Sequence, residues 1–293
     1  METLHEILSP AFRNSIYASL LVGVACPLMG VYLVLRRMVF LGVALPQISS
    51  AGVAFAFALP AWGVFTSWHA TAGERALAFA GSFAFALAAV FCLAWSKRRG
   101  RTAIESQIGT AYVLAGAAGI LLLTSNPHGE HGMLELLRGE IIAVPSRDLW
   151  PAAATFGVGC TLLLLFQKEF LLVSFDRDMA VTLGKRVFLW DLGLYGLMAT
   201  NTSVAVLIVG PLVTFGLLLL PALLARQWAR TMNGVLLLAA LIGMGSAAAG
   251  FVIAWKLDWP VGPTDVMLLG CLLLLSSLVQ AVRLRLSQRA RST

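Results

Sequence analysis

The chain has 293 residues, of which 59% are hydrophobic and only 12% are charged, and its mean hydropathy is +0.86. An average soluble domain carries about twice this share of charged residues, so the composition excludes a soluble enzyme or binding module and predicts a multi-pass membrane protein. The net charge of +7 does not indicate nucleic-acid binding, because the basic residues lie in short clusters between apolar stretches, where they act as topology signals.

The apolar stretches predict an all-α integral membrane protein, a bundle of about nine transmembrane helices with eight to ten as the range. A helix needs about 20 apolar residues to cross a bilayer, and unbroken apolar runs are typical of helices rather than barrel strands. Gly210, Pro211 and Pro221 interrupt the seventh span, so we expect a half-span or a broken helix there. We expect a single transmembrane domain over residues 1–293, with spans at 15–35, 39–65, 76–95, 103–124, 149–166, 188–209, 211–225, 234–255 and 261–282.

The distribution of Lys and Arg predicts the orientation of the chain in the membrane. With the N-terminus outside and nine spans, 16 of the 21 basic residues lie on the cytoplasmic side. This is a clear positive-inside bias. It predicts a multi-pass membrane protein with a cytoplasmic C-terminus, and it places residues 168–187 in the cytoplasm.

Residues 168–187, KEFLLVSFDRDMAVTLGKRV, form the longest polar interruption in the second half of the chain. Asp176 is a candidate N-cap, and Gly184 is a candidate C′ residue before two basic residues. Between them Met179, Ala180 and Leu183 have a three-to-four spacing that predicts a short surface helix. A capped helix between membrane spans is suited to docking a soluble partner. The alternative is a solvated loop with one helical turn.

The chain lacks the motif of an ATP-binding site. Its nearest fragment to a phosphate-binding loop is Gly184-Lys185, but position 179 is Met rather than Gly, and Arg186 follows the lysine. If ATP drives transport, the ATPase must therefore be a separate chain. Neither a nucleophile elbow nor a zinc-hydrolase signature is present, so the sequence predicts that the protein is not an enzyme.

Polar residues inside the predicted spans are candidates for lining a substrate pathway. Gln47 and Ser50 are three apart in the second span and share a helix face beside Pro46, while Asn201 and Thr202 belong to a polar patch in the sixth span. Interhelical packing is the alternative interpretation for both groups, because polar side chains also join helices in membranes.

A loop on the outer side contains His128 and His131, separated by a glycine and a glutamate. This spacing resembles a loose metal-collecting loop, but a structural metal site needs more ligands. An ordinary solvated loop is the alternative. The four cysteines are far apart along the chain and have no metal-ligand spacing.

Six segments, taken in order, resemble the permease subunit of bacterial zinc, manganese or iron ABC importers. They are GVYLVLRRMVFLGVALPQISSAGVA (30–54), ESQIGTAYVLAGAAGILLL (105–123), LLRGEIIAVPSRDL (136–149), KEFLLVSFDRDMAVTLG (168–184), VGPLVTFGLLLLPALLAR (209–226) and DWPVGPTDV (258–266). The ordered set spans most of the chain.

The resemblance implies a homodimeric permease in the lipid bilayer, a cytoplasmic ABC ATPase dimer that binds the ATP, and an extracytoplasmic substrate-binding protein. It implies a divalent metal as the transported species and no cofactor bound directly to this chain. It also implies that residues 168–187 contain a cytoplasmic coupling helix for the ATPase. The residues expected to serve coupling are Asp176, Arg177, Asp178, Met179, Leu183 and Gly184.

One departure from the family concerns the metal path. The family has an Asp and a His four residues apart in the second span, and the corresponding residues here are Val43 and Gln47. Valine offers no ligand atom, and glutamine offers only a neutral oxygen. Either the ion passes with its hydration shell, or other groups replace the pair, or the substrate is a metal chelate.

Three other classes of protein remain as alternatives. An ATP-independent secondary transporter or channel would be expected to carry acidic residues or histidine at mid-span. A membrane enzyme would need a cluster of polar catalytic groups on one side. A permease-like protein that has lost transport would explain the replacement at Val43 and Gln47.

Overall fold

The computed structural model describes residues 10–61, 71–98, 104–124 and 146–292. The regular structure of these residues is α-helical throughout, which confirms the predicted all-α bundle. Ten helices follow one another: α1 (Pro10–Leu35), α2 (Val39–Ala61), α3 (Thr71–Arg98), α4 (Ile104–Thr124), α5 (Ser146–Leu165), α6 (Gln167–Phe175), α7 (Arg177–Thr182), α8 (Val187–Trp228), α9 (Met232–Leu257) and α10 (Val261–Ser292).

Most of these helices have the length and composition of membrane spans. Among the described residues, six are long and apolar enough to cross a bilayer, namely α1, α2, α3, α8, α9 and α10. The pair α5 and α6 would make a seventh span if it is counted as one, and it is bent by 65°. Helix α4 covers the predicted fourth span without belonging to the six.

Helix α8 is 42 residues long and reverses direction at Gly210, whose φ of 77° and ψ of 167° lie outside the helical region. Asp191 contacts Arg36 at the end of α1, and the Leu218 carbonyl packs on Gly30 in the same helix. A straight helix would separate Asp191 from Leu218 by about 40 Å, whereas six residues of α1 span only about 9 Å. Residues 187–209 and 211–228 therefore form two antiparallel legs, which correspond to the predicted sixth and seventh spans.

Glycines permit the closest helix contacts in the bundle. A Cβ on Gly23 of α1 would meet the backbone of Gly243 in α9, and a Cβ on Gly52 of α2 would meet the backbone of Gly81 in α3. The small residues of the predicted third and eighth spans thus form packing interfaces, as close approach in membranes requires. Helix α1 and the first leg of α8 supply much of the buried core, while α10 faces mostly outward.

Candidate functional site

Helix α7 has the two caps that the sequence predicts. The Asp176 carboxylate accepts a hydrogen bond of 2.8 Å from the backbone N–H of Met179. Gly184 has a φ of 71°, in the left-handed region, and the N–H of Lys185 donates to the Ala180 carbonyl at 3.0 Å. This six-to-one bond after a left-handed glycine is a Schellman motif. A helix of six residues is thereby closed at both ends.

The two faces of α7 have different surroundings. Ala180 is fully buried in a small cluster with Val173 and Val187. Met179 and Leu183 are about half exposed, so their side chains are turned outward while that of Ala180 is turned inward; adjacent helical residues such as Met179 and Ala180 differ by about 100° in direction. We use the term outer face of α7 for the exposed apolar side chains in and beside this helix, which are Phe175, Met179, Val181 and Leu183.

A buried ion pair lies directly behind α7. Arg36 Nη1 is 2.5 Å from Asp191 Oδ1, and each of the two side chains is only 5% exposed. Arg36 Nε also donates a hydrogen bond of 2.8 Å to Ser174 Oγ. Arg177 Nη2 lies 3.5 Å from the second oxygen of Asp191, but its side chain is 47% exposed. We call Arg36, Ser174, Arg177 and Asp191 the charge cluster.

The charge cluster joins four parts of the fold. Arg36 belongs to the turn between α1 and α2, Ser174 to α6, Arg177 to α7 and Asp191 to the start of α8. The Arg36 guanidinium also lies 5.2 Å from the ring centroid of Tyr195. Moving the turn away from α8 would separate Arg36 from Asp191 and leave each charge without its counter-charge. The ion pair therefore holds the turn against α8.

An aromatic cluster surrounds the same junction. The ring centroid of Phe170 in α6 lies 6.2 Å from that of Tyr32 in α1 and 5.6 Å from that of Trp190 in α8, both in edge-to-face geometry. Phe166, between α5 and α6, lies 5.5 Å from Trp190. Edge-to-face rings are favourable beyond their buried area. Helix α6 is therefore held against α1 and α8 by both aromatic packing and polar contacts.

Sequence reasoning missed the charge cluster. At the start of a span, Asp191 is expected to be an ordinary helix-start charge, whereas the structure buries it between two arginines. Its partner Arg36 is 155 residues away along the chain, so no local spacing could reveal the pair. The available signal was only that an acid and a basic turn are predicted on the same side of the membrane.

Of the predicted pathway residues of α2, Gln47 lies against α4, and Ser50 is buried beside a serine that contacts α8. Val43 and Gln47 are half-buried, and the Gln47 amide nitrogen lies 3.4 Å from where a Cβ on Gly116 of α4 would be. Ser50 is buried, and its neighbour Ser49 lies 3.4 Å, hydroxyl to hydroxyl, from Ser203 of α8. The contact between the two serines has the character of interhelical packing.

The predicted pathway residues of α8 are buried in its first leg. Asn201 donates a hydrogen bond of 2.8 Å to the Leu197 carbonyl, and its amide packs on Gly159 of α5. It borders a groove of about 310 Å³ between α5 and α8, and Thr202 next to it is also buried. Gln47 and Asn201 thus contact different helices. The pathway role of the four residues stays a prediction.

The two histidines of the predicted metal-collecting loop, His128 and His131, lie outside the described residues. Within the parts of the chain that the structure describes, no group of three or more His, Cys, Asp or Glu side chains could hold a metal ion.

A second buried acid lies near the N-terminal end of α10. Asp265 is fully buried, and neither of its carboxyl oxygens has a hydrogen-bond partner among the described residues. The carboxyl group fills the space where Gly250 of α9 lacks a side chain. Sequence reasoning did not single out Asp265, because a lone acid near the end of an apolar segment resembles an interfacial charge.

Comparisons with known proteins identify the family. Residues 9–280 match the ABC 3 transport family. The chain is 29% identical over 267 residues to the uncharacterized membrane protein slr2045 of Synechocystis sp., covering 90% of this chain and 89% of that protein. It is 26% identical over 280 residues to the manganese import system permease protein ScaB of Streptococcus gordonii, covering 94% of each.

A solved structure shares the fold. PsaBC from Streptococcus pneumoniae, in complex with Fab, has a chain that matches with a TM-score of 0.79 at 22% identity, covering 94% of both chains. This similarity shows that the two chains share a fold. With the family match over residues 9–280, the chain belongs to the ABC 3 transport family.

Proposed function

We propose that this protein is the membrane-spanning permease subunit of an ATP-driven importer for a divalent metal ion. Zinc, manganese and iron are the candidate metals, and manganese is the first to test because ScaB of Streptococcus gordonii is named for manganese import. The importer would work in the inner membrane as a homodimer, with a cytoplasmic ABC ATPase dimer and an external substrate-binding protein. The C-terminus would be cytoplasmic.

The outer face of α7 is the observation that carries the proposal. Phe175 is 69% exposed, and Val181 is 59% exposed, on the side of the molecule that holds Arg36, Arg177, Lys185 and Arg186. The positive-inside bias supports a cytoplasmic position for that side. Apolar side chains exposed to the cytoplasm in a cluster mark a protein interaction surface. A nucleotide-binding partner that docks there would hydrolyse the ATP, since this chain has no ATP-binding motif.

In this mechanism the ATPase dimer closes on ATP and displaces α7. Asp176, Arg177, Asp178, Met179, Leu183 and Gly184 serve coupling, by capping the helix or by facing the partner. The displacement tilts the spans and opens or closes a pathway that Gln47, Ser50, Asn201 and Thr202 border in part. Movement between two access states, rather than a channel, is the expected consequence of such closure.

Co-purification tests the docking surface. Leu183→Asp places a charge on the outer face of α7 and should abolish recovery of the ATPase with the tagged permease, because a buried unpaired charge opposes association. Thr182→Ala is the matched control, since Thr182 is exposed on the same helix and its hydroxyl bonds only locally to the Met179 carbonyl. Equal recovery of the ATPase with both variants would contradict docking at α7.

A metal chelate is the second candidate substrate. The amide of Gln47 lies against α4 and Val43 has no ligand atom, so the two residues offer one neutral oxygen, which cannot replace the hydration shell of a free divalent cation. Uptake of radioactive manganese(II), alone and as its citrate chelate, separates the two candidates in cells that express the intact system. Faster uptake of the free ion supports the first candidate, and uptake of the chelate alone supports the second.

A further inference from the structure

We propose that Arg36 is a positioning residue that joins the α6–α7 segment to the α1–α2 turn and to the start of α8, so that a displacement of α7 is carried into the spanning helices. This inference rests on the proposed function, because such a link serves transport only if a partner moves α7. It assigns a role to the turn between α1 and α2, and this turn is not part of the outer face of α7.

The guanidinium of Arg36 makes the link. Its Nε donates to Ser174 Oγ at 2.8 Å in α6, and its Nη1 lies 2.5 Å from Asp191 Oδ1 in α8. These residues are 138 and 155 positions away from Arg36 along the chain. Because the donors of a guanidinium have fixed directions in one plane, a single side chain sets the relative positions of three elements.

The link to α6 continues into the aromatic cluster. Ser174 accepts from Arg36 and donates to the carbonyl of Phe170 in its own helix. Phe170 is buried and packs edge-on against Tyr32 of α1 and Trp190 of α8. Helix α6 therefore moves with α1 and α8 as one packed unit, and the guanidinium is the polar tie of that unit.

The direct tie between α7 and α8 is much weaker. Arg177 approaches Asp191 at 3.5 Å with a side chain that is 47% exposed, whereas Arg36 and Asp191 are each 5% exposed at 2.5 Å. Exposed pairs contribute little, while breaking a buried pair leaves a desolvated charge. A force on α7 is therefore passed through the end of α6 to Arg36, rather than through Arg177.

Two changes break the link without leaving a buried charge unpaired. Ser174→Ala removes the tie to α6 and keeps the Arg36–Asp191 pair. The double variant Arg36→Gln/Asp191→Asn removes both charges together and keeps amide groups that can bond to each other. Thr182→Ala is the matched control for Ser174→Ala, and Arg37→Gln is the matched control for the double variant, since Arg37 is the exposed neighbour in the same turn.

The first measurement needs no partner protein and no transport. Nitroxide labels on Phe40→Cys in α2 and Leu183→Cys beside α7 give a distance distribution by pulsed EPR, because both side chains are about half exposed. The full-length background replaces the native cysteines with alanine, at Cys26, Cys92, Cys160 and Cys271. We expect a narrow distance between the two labels of one protomer in this background and in Thr182→Ala, and a loss of that narrow distance in Ser174→Ala. Unchanged distributions in Ser174→Ala and in the double variant would overturn the positioning role.

The second measurement compares coupling with assembly. In proteoliposomes that hold the permease with its ATPase and binding protein, Ser174→Ala should keep ATPase recovery and ATP hydrolysis, while radioactive manganese(II) uptake per ATP falls about fivefold or more. Arg37→Gln should match wild type. Uptake per ATP that equals wild type in Ser174→Ala would overturn the inference, and this variant carries the test even if the double variant does not fold.

The two proposals fail in different ways. If the wild-type protein neither recovers an ATPase nor takes up manganese, zinc or iron, the proposed function fails, and the EPR distances still decide whether Arg36 positions α7. If wild type transports and Ser174→Ala transports equally well with the same narrow distance, the proposed function stands and the role of Arg36 is refuted.

Discussion

Two buried aspartates show how differently one side chain is accommodated in this bundle. Asp191 is 3% exposed and lies between Arg36 and Arg177, where α6, α7 and α8 meet. Asp265 is 0% exposed, and its carboxyl group lies against Gly250 without a hydrogen-bond partner among the described residues. At the first site, the opposite charges of the two arginines fix the position of the carboxylate. At the second site, the carboxyl group occupies the space that Gly250 leaves because it has no side chain.

The difference has a physical consequence for what each aspartate can do. A paired carboxylate can tie elements together, because a guanidinium offers it directed donors. A carboxylate without a partner in a membrane helix is costly as an anion and gains nothing from its charge in this arrangement. We therefore expect removal of charge to be severe at Asp191 and mild at Asp265, and the following variants are ordered by the size of the effect.

Asp191→Ala should have the largest effect. It leaves Arg36 buried without its counter-charge, which should lower the free energy of unfolding by about 3–5 kcal/mol. Denaturant unfolding in detergent measures the change. Asp178→Ala is the control, because Asp178 is an exposed acid of the neighbouring helix α7. Equal stability of the two variants would show that the buried pair contributes nothing.

Gly250→Ala should come next. Its Cβ would overlap the Asp265 carboxyl group, and such overpacking should lower the free energy of unfolding by about 1–3 kcal/mol. Gly245→Ala in the same helix is the control, because a Cβ there meets no atom within 4 Å. Adding Asp265→Ala should restore most of the loss. Losses that simply add in the double variant would refute the contact between these two residues.

Arg177→Ala should have a small effect on stability. The side chain is 47% exposed and its nitrogen is 3.5 Å from Asp191, so the expected loss is below about 1 kcal/mol. The same denaturant series measures it, with and without added salt, since an exposed pair is screened. A loss as large as that of Asp191→Ala would place the main tie at Arg177 and not at Arg36.

Asp265→Asn should have the smallest effect. The change keeps the shape and replaces a carboxyl group that has no hydrogen-bond partner among the described residues, so stability should stay within about 0.5 kcal/mol or rise slightly. Asp191→Asn, measured alongside, should be clearly destabilising, because Arg36 then lacks its counter-charge. A large loss in Asp265→Asn would mean that the carboxyl group has a binding partner in the folded protein.

Local features of the sequence were the predictable ones. Asp176 and Gly184 predicted both ends of α7, because a helix cap depends only on residues within one turn. The Gly210-Pro211 step predicted the break in α8, since glycine reaches a φ of 77° and proline suits the first turn of the next leg. The all-α bundle followed from apolar runs of spanning length.

Long-range pairs could not be predicted in the same way. Arg36 and Asp191 meet only after α8 has folded back on α1, and no spacing in the chain records that contact. The inward direction of Ala180 depends on the cluster behind α7. Asp265 escaped notice because its environment is created by Gly250 on another helix. The predicted metal-collecting histidines His128 and His131 lie outside the described residues and stay a prediction.

Metal content of cells tests the central claim most directly. Zinc, manganese and iron would be measured element by element in a strain that lacks this gene, in the same strain complemented with the wild-type gene, and in the strain complemented with Leu183→Asp. The account predicts that one of these metals, with manganese first, falls in the deletion strain, recovers with the wild-type gene and stays low with Leu183→Asp. Unchanged content of all three metals in the deletion strain, under limiting supply, would contradict metal import by this protein.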